Sequence, residues 1–277
     1  MSRISAKFAE LKGRNEIGLI LYLTVGFPDM ETTLALVPTL VAAGADMVEL
    51  GIPFSDPLAD GATIQRSSYA ALQRGVTLEK CLAACRELRA RGVEVPLILM
   101  GYYNPILHFG LGRFADACAA SGADGVIVPD LPPEEAGSLL QECRRRGIDV
   151  IFLLAPTSTD ERIAAVCRAS QGFIYCVSLT GVTGARQDLA SGLPGFIARV
   201  RCHTDLPLAA GFGISSPAHV ETIAATADAA VIGSALIDII DKSSPEERQA
   251  RVREYVSGLV QSKKITGGAK PYVVSGR

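Results

Sequence analysis

Short apolar stretches alternate with helix-patterned segments along almost the whole chain, and that alternation restricts the available folds more than any single motif does. Positions 18–24, 47–49, 96–101, 125–128, 150–154, 173–177, 208–210 and 229–232 read as strands. They are short, and most are apolar throughout. Between them, positions 29–43, 64–72, 78–91, 112–120, 133–146, 160–169, 195–201 and 217–225 carry helical spacing, and further helices follow the last strand. Strands buried on both faces, each separated from the next by helix, imply parallel pairing with helices covering the sheet. Eight such units in a chain of 277 residues favour a closed barrel over an open doubly wound sheet. An internal echo agrees: Ala45-Asp46, Ala123-Asp124 and Ala227-Asp228 open three strands alike.

The expected class is therefore α/β, a single-domain (β/α)8 TIM barrel with an extra N-terminal helix. Positions 1–16 mix Arg3, Lys7, Glu10, Lys12, Arg14 and Glu16 with Ile4, Phe8 and Leu11, the pattern of an amphipathic helix and not of a signal peptide. No stretch has the composition of an interdomain linker, so positions 1–262 are expected to form one domain. Positions 263–277, with several glycines and little periodicity, read as a mobile tail.

Composition excludes several classes of function. With 27 basic and 29 acidic residues scattered along the chain, no basic footprint for nucleic acid stands out. No apolar run approaches the roughly 18 residues that a membrane span needs. The seven cysteines form no CxxC motif and sit mostly in helical contexts, which reads as reduced packing thiols in a cytoplasmic protein. The three histidines are far apart, so no metal site is expected.

A barrel of this kind builds its site from loops at the C-terminal ends of the strands. Those ends offer Tyr22 and Thr24, then Glu49 with Asp60 in its loop, Met100 and Tyr102, Ile127 with Asp130, and Tyr175. Such a floor suits a flat apolar ring, and burial there would raise the pKa of Glu49 toward that of a proton shuttle. The competing readings are an Arg or Lys pairing with Glu49 inside the barrel, and Asp56 and Asp60 serving as loop caps. Gly211-Phe212-Gly213 and Gly233-Ser234 follow the last two strands, where glycine turns and a helix start make an anion site; plain loop turns are the alternative. The glycine-rich loop at 179–188 reads as a lid or as an ordinary surface loop. As a lid it would bring Thr183 to Asp60 and the backbone of Gly184 to a phosphate.

The run from Glu49 to Gly61, Glu-Leu-Gly-Ile-Pro-Phe-Ser-Asp-Pro-Leu-Ala-Asp-Gly, together with Gln65, closely resembles the signature of the tryptophan synthase alpha chain family. Tyr102-Tyr103-Asn104-Pro105, the Val128 to Pro133 run, Gly181 to Gly184, Gly211 to Gly213 and Gly233-Ser234 recur in that family in this order. The resemblance implies a carbon–carbon lyase that cleaves indole-3-glycerol phosphate to indole and glyceraldehyde 3-phosphate. It implies Glu49, Asp60 and Tyr175 at the catalytic centre, with Tyr22, Ile64, Met100, Tyr102, Ile127 and Thr183 around the indole. Gly184, Gly213, Gly233 and Ser234 would bind the phosphate. It implies no cofactor in this chain, pyridoxal phosphate on a partner beta chain, an alpha2-beta2 heterotetramer, and partner contact near Asp56 and Asn104. The chain departs from the family's common pattern at Tyr22, Met100 and Ala62. A stand-alone lyase releasing free indole, or a non-catalytic barrel that activates a beta chain, are the alternatives. A Schiff-base aldolase is disfavoured because none of the eight expected strands contains a lysine.

Overall fold

The computed structural model describes residues 1–177 and 189–265. Helix α1 (Arg3–Gly13) precedes the barrel, capped by the Ser2 hydroxyl, which accepts from the Ser5 N–H. The barrel then runs β1 (Gly18–Thr24), α2 (Met30–Ala42), β2 (Met47–Gly51), α3 (Ala62–Gln73), α4 (Leu78–Ala90), β3 (Leu97–Met100), α5 (Tyr103–Phe109), α6 (Leu111–Ser121) and β4 (Gly125–Ile127). It continues with α7 (Gly137–Arg145), β5 (Asp149–Ile151), β6 (Leu153–Leu154), α8 (Asp160–Ala169), β7 (Ile174–Val177), α9 (Leu189–Arg201), β8 (Leu208–Gly211), α10 (Pro217–Ala224) and β9 (Ala229–Ile232). Helices α11 (Ser234–Lys242) and α12 (Pro245–Val260) follow.

Every strand pairing is parallel, and β1 lies between β2 and β9. The two ends of the hydrogen-bonded order are β5 and β6, which are joined by the single residue Phe152. One interrupted strand thus closes the ring: its first half bonds β4 and its second half bonds β7. The expected strand at 150–154 is these two halves. Three more expectations are corrected. Strand β2 does not end at Glu49 but runs to Gly51, so the carboxylate sits inside the strand. Helix α5 was not expected; Pro105 falls in its first turn, where its missing N–H costs nothing. Lys263, expected in the tail, is instead buried against Asp46 (Nζ–Oδ2 2.6 Å) and accepts from Ile17 through its carbonyl, while positions 266–277 lie outside the described residues.

Side chains pointing into the barrel stack in layers. Ile20, Met47, Ile98, Ile127, Ile151, Phe173, Ala209 and Ala229 form an apolar plug, sealed at its base by Ile4 and Phe8 of α1. Two residues further along their strands, on the same face, come Tyr22, Glu49, Met100, Tyr175 and Gly211. Two glycines make room there: a Cβ on Gly51 would collide with the Tyr22 hydroxyl, and one on Gly211 would lie 2.6 Å from the Tyr175 ring.

The Ala-Asp echo now has a cause. Asp46, Asp124 and Asp228 each accept from the first or second backbone N–H of the neighbouring strand, those of Leu19, Leu97 and Leu208, at 2.8 Å in all three cases. Each also holds a cation: Lys263, Arg89 with Arg3, and Arg201 respectively. These carboxylates, two of them buried and Asp228 half-buried, fix the register of β1 with β2, β3 with β4, and β8 with β9 at the closed end of the barrel. Asp124→Ala would leave Arg89 and the Leu97 N–H without this partner, and we expect it to lower the unfolding free energy by about 3–5 kcal/mol in urea titration. A loss under about 1 kcal/mol, the worth of an exposed pair, would contradict this role.

Candidate active site

The open end of the barrel holds a cavity of about 1080 Å³, lined by residues from most of the strand-end loops. Glu49 reaches it from the middle of β2, flanked in register by Tyr22 of β1 and Ile98 of β3. It is fully buried, and neither carboxylate oxygen has a hydrogen-bond partner among the described residues. No cation pairs with it among the described residues, so the ion-pair reading of Glu49 fails. Desolvation alone pushes its pKa up to about 8.

Asp60 approaches from the loop after β2, just before the Gly61 N-cap of α3. Burial raises its pKa to about 6, and the Tyr102 hydroxyl, donating to Oδ2 at 3.1 Å, holds it back from rising further. The same hydroxyl accepts from the Ala59 N–H at 3.0 Å, and the Tyr102 ring stacks on Phe54 with centroids 5.1 Å apart. The loop is gripped from α3 as well. Ser68 accepts from the Phe54 N–H and donates to its carbonyl, while Gln65 donates to the Asp60 carbonyl at 2.8 Å. Asp60 is therefore an oriented carboxylate and not a loop cap.

Tyr22 and Tyr175 flank the two acids, their phenols held neutral by burial. The Tyr22 hydroxyl hydrogen-bonds Thr24, which continues to Ser67 of α3. Ile64 and Met100 complete the apolar wall. On another side of the cavity lie Gly213, whose φ of +68° favours glycine, and Gly233 with Ser234 at the start of α11. That helix leaves its first N–H groups facing the cavity without a side-chain cap, a suitable seat for an anion.

The structure thus gathers Glu49, Asp60, Tyr175, Tyr22, Ile64, Met100, Gly213, Gly233 and Ser234 around one cavity. Two expectations change. Ile127 does not line it; the residue belongs to the apolar plug beneath, because β4 is short and its inward Ile127 packs with Ile98 and Ile151. Tyr102 is the partner of Asp60 rather than part of the ring pocket. Asp56, in the loop after β2, and Asn104, in the first turn of α5, are both exposed, and Thr183 and Gly184 lie outside the described residues. Sequence reading missed the Tyr102–Asp60 contact, although both were singled out, because the partners come from different strands. It also missed Asp238, which lines the cavity one turn beyond Ser234; only its i, i+4 spacing from Ser234 points there.

Comparison with known proteins follows the same outline. Residues 8–266 match the family model described as tryptophan synthase alpha chain. The tryptophan synthase alpha chain of Roseiflexus castenholzii is 56% identical over 256 residues, covering 92% of this chain and 98% of that one. The one from Chloroflexus aurantiacus is 53% identical over 262 residues, covering 95% and 98%. Among solved structures, Mycobacterium tuberculosis tryptophan synthase superposes with a TM-score of 0.88 at 38% identity, covering 96% of this chain and 99% of that chain. The alpha subunit from Legionella pneumophila gives 0.88 at 35% identity, covering 95% and 98%.

The buried, unpartnered Glu49 has a consequence for stability. Its folded pKa lies above its ordinary value of 4.5, so the folded state holds a proton that the unfolded chain has released. Stability should therefore fall as pH rises from about 4.5 to about 8, by up to about 1.4 kcal/mol per pH unit from this group. Glu49→Gln removes that slope, so urea unfolding of the two proteins should coincide near pH 4 and favour the variant at pH 9. Equal stability at both pH values would show that Glu49 ionises freely.

Proposed function

This chain belongs to the tryptophan synthase alpha chain family, and on that premise we propose how its own residues cleave indole-3-glycerol phosphate into indole and glyceraldehyde 3-phosphate. One observation carries the assignment: two carboxyls share a cavity but have pKa values pushed apart, to about 8 for Glu49 and about 6 for Asp60. At neutral pH one is an acid and the other a base, the pattern by which paired carboxyls divide acid and base roles.

Glu49 gives its proton to the ring carbon that bears the glycerol chain. As that carbon becomes tetrahedral, the ring N–H turns acidic, and Asp60 takes the proton. Ionised Glu49 then accepts the proton of the adjacent chain hydroxyl. The carbon–carbon bond breaks, its electrons return to the ring, and Asp60 restores the ring N–H while the chain leaves as the aldehyde. Both carboxyls end as they began. Tyr102 keeps Asp60 aimed at the nitrogen, and Tyr22, Ile64, Met100 and Tyr175 hold the ring between the two acids. Gly213, Gly233 and Ser234 bind the phosphate, to which the family reading adds Gly184, with Thr183 on the indole side near Asp60.

No cofactor takes part in these steps. The product indole calls for a consumer, and the family reading assigns that role to a beta chain carrying pyridoxal phosphate. In the alpha2-beta2 assembly proposed here the beta chain docks on the rim that presents Asp56 and Asn104, next to the loop that carries Asp60. The family reading sets these steps in the cytoplasm; no described helix is long and apolar enough to cross a membrane.

With the beta chain present, the rate of indole release should follow a bell-shaped pH profile. Its acid limb, near pH 6, reports ionisation of the Asp60 side of the pair, and its alkaline limb, near pH 8, reports loss of the proton on the Glu49 side. Glu49→Gln should lower turnover by about 10²–10⁴-fold. Cleavage by that variant within a few-fold of the parent would overturn the assignment.

A further inference from the structure

Helices α3 and α11 both start at the cavity, one beside Asp60 and the other at Ser234, and polar side chains join them. Helix α3 begins one residue after Asp60, and α11 begins at Ser234. One turn into each, Asp238 Oδ1 accepts from the Arg66 guanidinium at 3.2 Å and from the Thr63 hydroxyl at 3.4 Å. Arg66 also reaches Asp241 Oδ2 at 3.2 Å, and Lys242 lies 4.0 Å from Asp238 Oδ2. Asp238 itself lines the cavity together with Gly61, Ile64 and Ser234.

A carboxylate one turn behind an anion seat is costly unless its charge is matched, and here the match comes from the helix that carries the other half of the site. We propose that Asp238 and Arg66 are positioning residues for the cleavage reaction. Their pair sets the spacing between the phosphate seat and Asp60, so that a substrate held at its phosphate presents its ring nitrogen to the carboxylate. The inference rests on the reading that phosphate binds at Gly233 and Ser234 and that Asp60 acts on the ring. Neither residue touches the reacting atoms, so their effect falls on turnover through alignment, where small misplacements are amplified. Both side chains are partly exposed, which limits the effect and makes it sensitive to salt.

The test uses the full chain with its beta partner. Asp238→Ala and Arg66→Met should each lower kcat about five-fold, the upper end of what an exposed ion pair carries. The double variant should be no slower than the slower single one. Arg66→Lys should recover part of the loss. KM separates alignment from charge: it should rise for Arg66→Met, which leaves Asp238 facing the phosphate, and should not rise for Asp238→Ala. Added salt should slow the parent toward the rate of the variants while leaving the variants nearly unchanged.

Parental kcat in Asp238→Ala, or losses that multiply in the double variant, would overturn the proposal. Competition by glycerol 3-phosphate checks the reading beneath it. If the parent cleaves the substrate but glycerol 3-phosphate does not compete, the phosphate seat is wrong and the proposal falls with it. If competition is normal and the variants are unaffected, only the positioning role fails.

Discussion

The site depends on one unfavourable burial, a glutamate placed inside a barrel strand with no partner for either oxygen among the described residues. Desolvation keeps Glu49 protonated near neutrality, and nothing else acts on it strongly. Much of the surrounding architecture keeps water and cations from it. The apolar plug closes the barrel below, the two tyrosines flank it in its own layer, and Gly51 and Gly211 leave the room those rings need. A single Lys or Arg within reach would ionise Glu49 and remove the acid. The aspartates that pair with cations instead stand at the opposite ends of the strands, where they fix the sheet.

Asp60 meets the opposite demand. It must ionise near neutrality, so it sits in a loop at the cavity mouth and not on a strand, and Tyr102 donates to it. That loop would be free to wander if Ser68 and Gln65 did not hold its two ends from α3. Reactivity and order are supplied by different elements: the strand sets the pKa of Glu49, and the helix after the loop sets the position of Asp60. The anion seat at Ser234 belongs to a third element, and its polar contacts with α3 tie the three together.

Much of this could be read from the sequence because strand periodicity and glycine placement are local. The alternation of strands and helices predicts the barrel, and the strand-end positions of Glu49, Tyr22, Met100 and Tyr175 predict which side chains share the cavity. What could not be read depends on contacts between distant segments. Ile127 occupies a strand end like the others, yet its strand is short and its side chain stays in the plug. Tyr102 looks like a ring-pocket residue until the neighbouring loop brings Asp60 to its hydroxyl. The break at Phe152 shows only once the ring is closed, where the first half of that strand bonds β4 and the second half bonds β7. The Ala-Asp repeat was visible from the start, but its reason, a carboxylate bonding the backbone of the adjacent strand, exists only once the strands are paired.

The central claim is that Glu49 is a neutral acid at physiological pH. Infrared difference spectra of the resting protein, recorded against Glu49→Gln across pH 5–9, measure it directly. A protonated carboxyl band assigned to Glu49 should persist through neutrality and vanish with a midpoint near pH 8. Loss of that band below about pH 6, within the range of an ordinary exposed glutamate, would contradict the account.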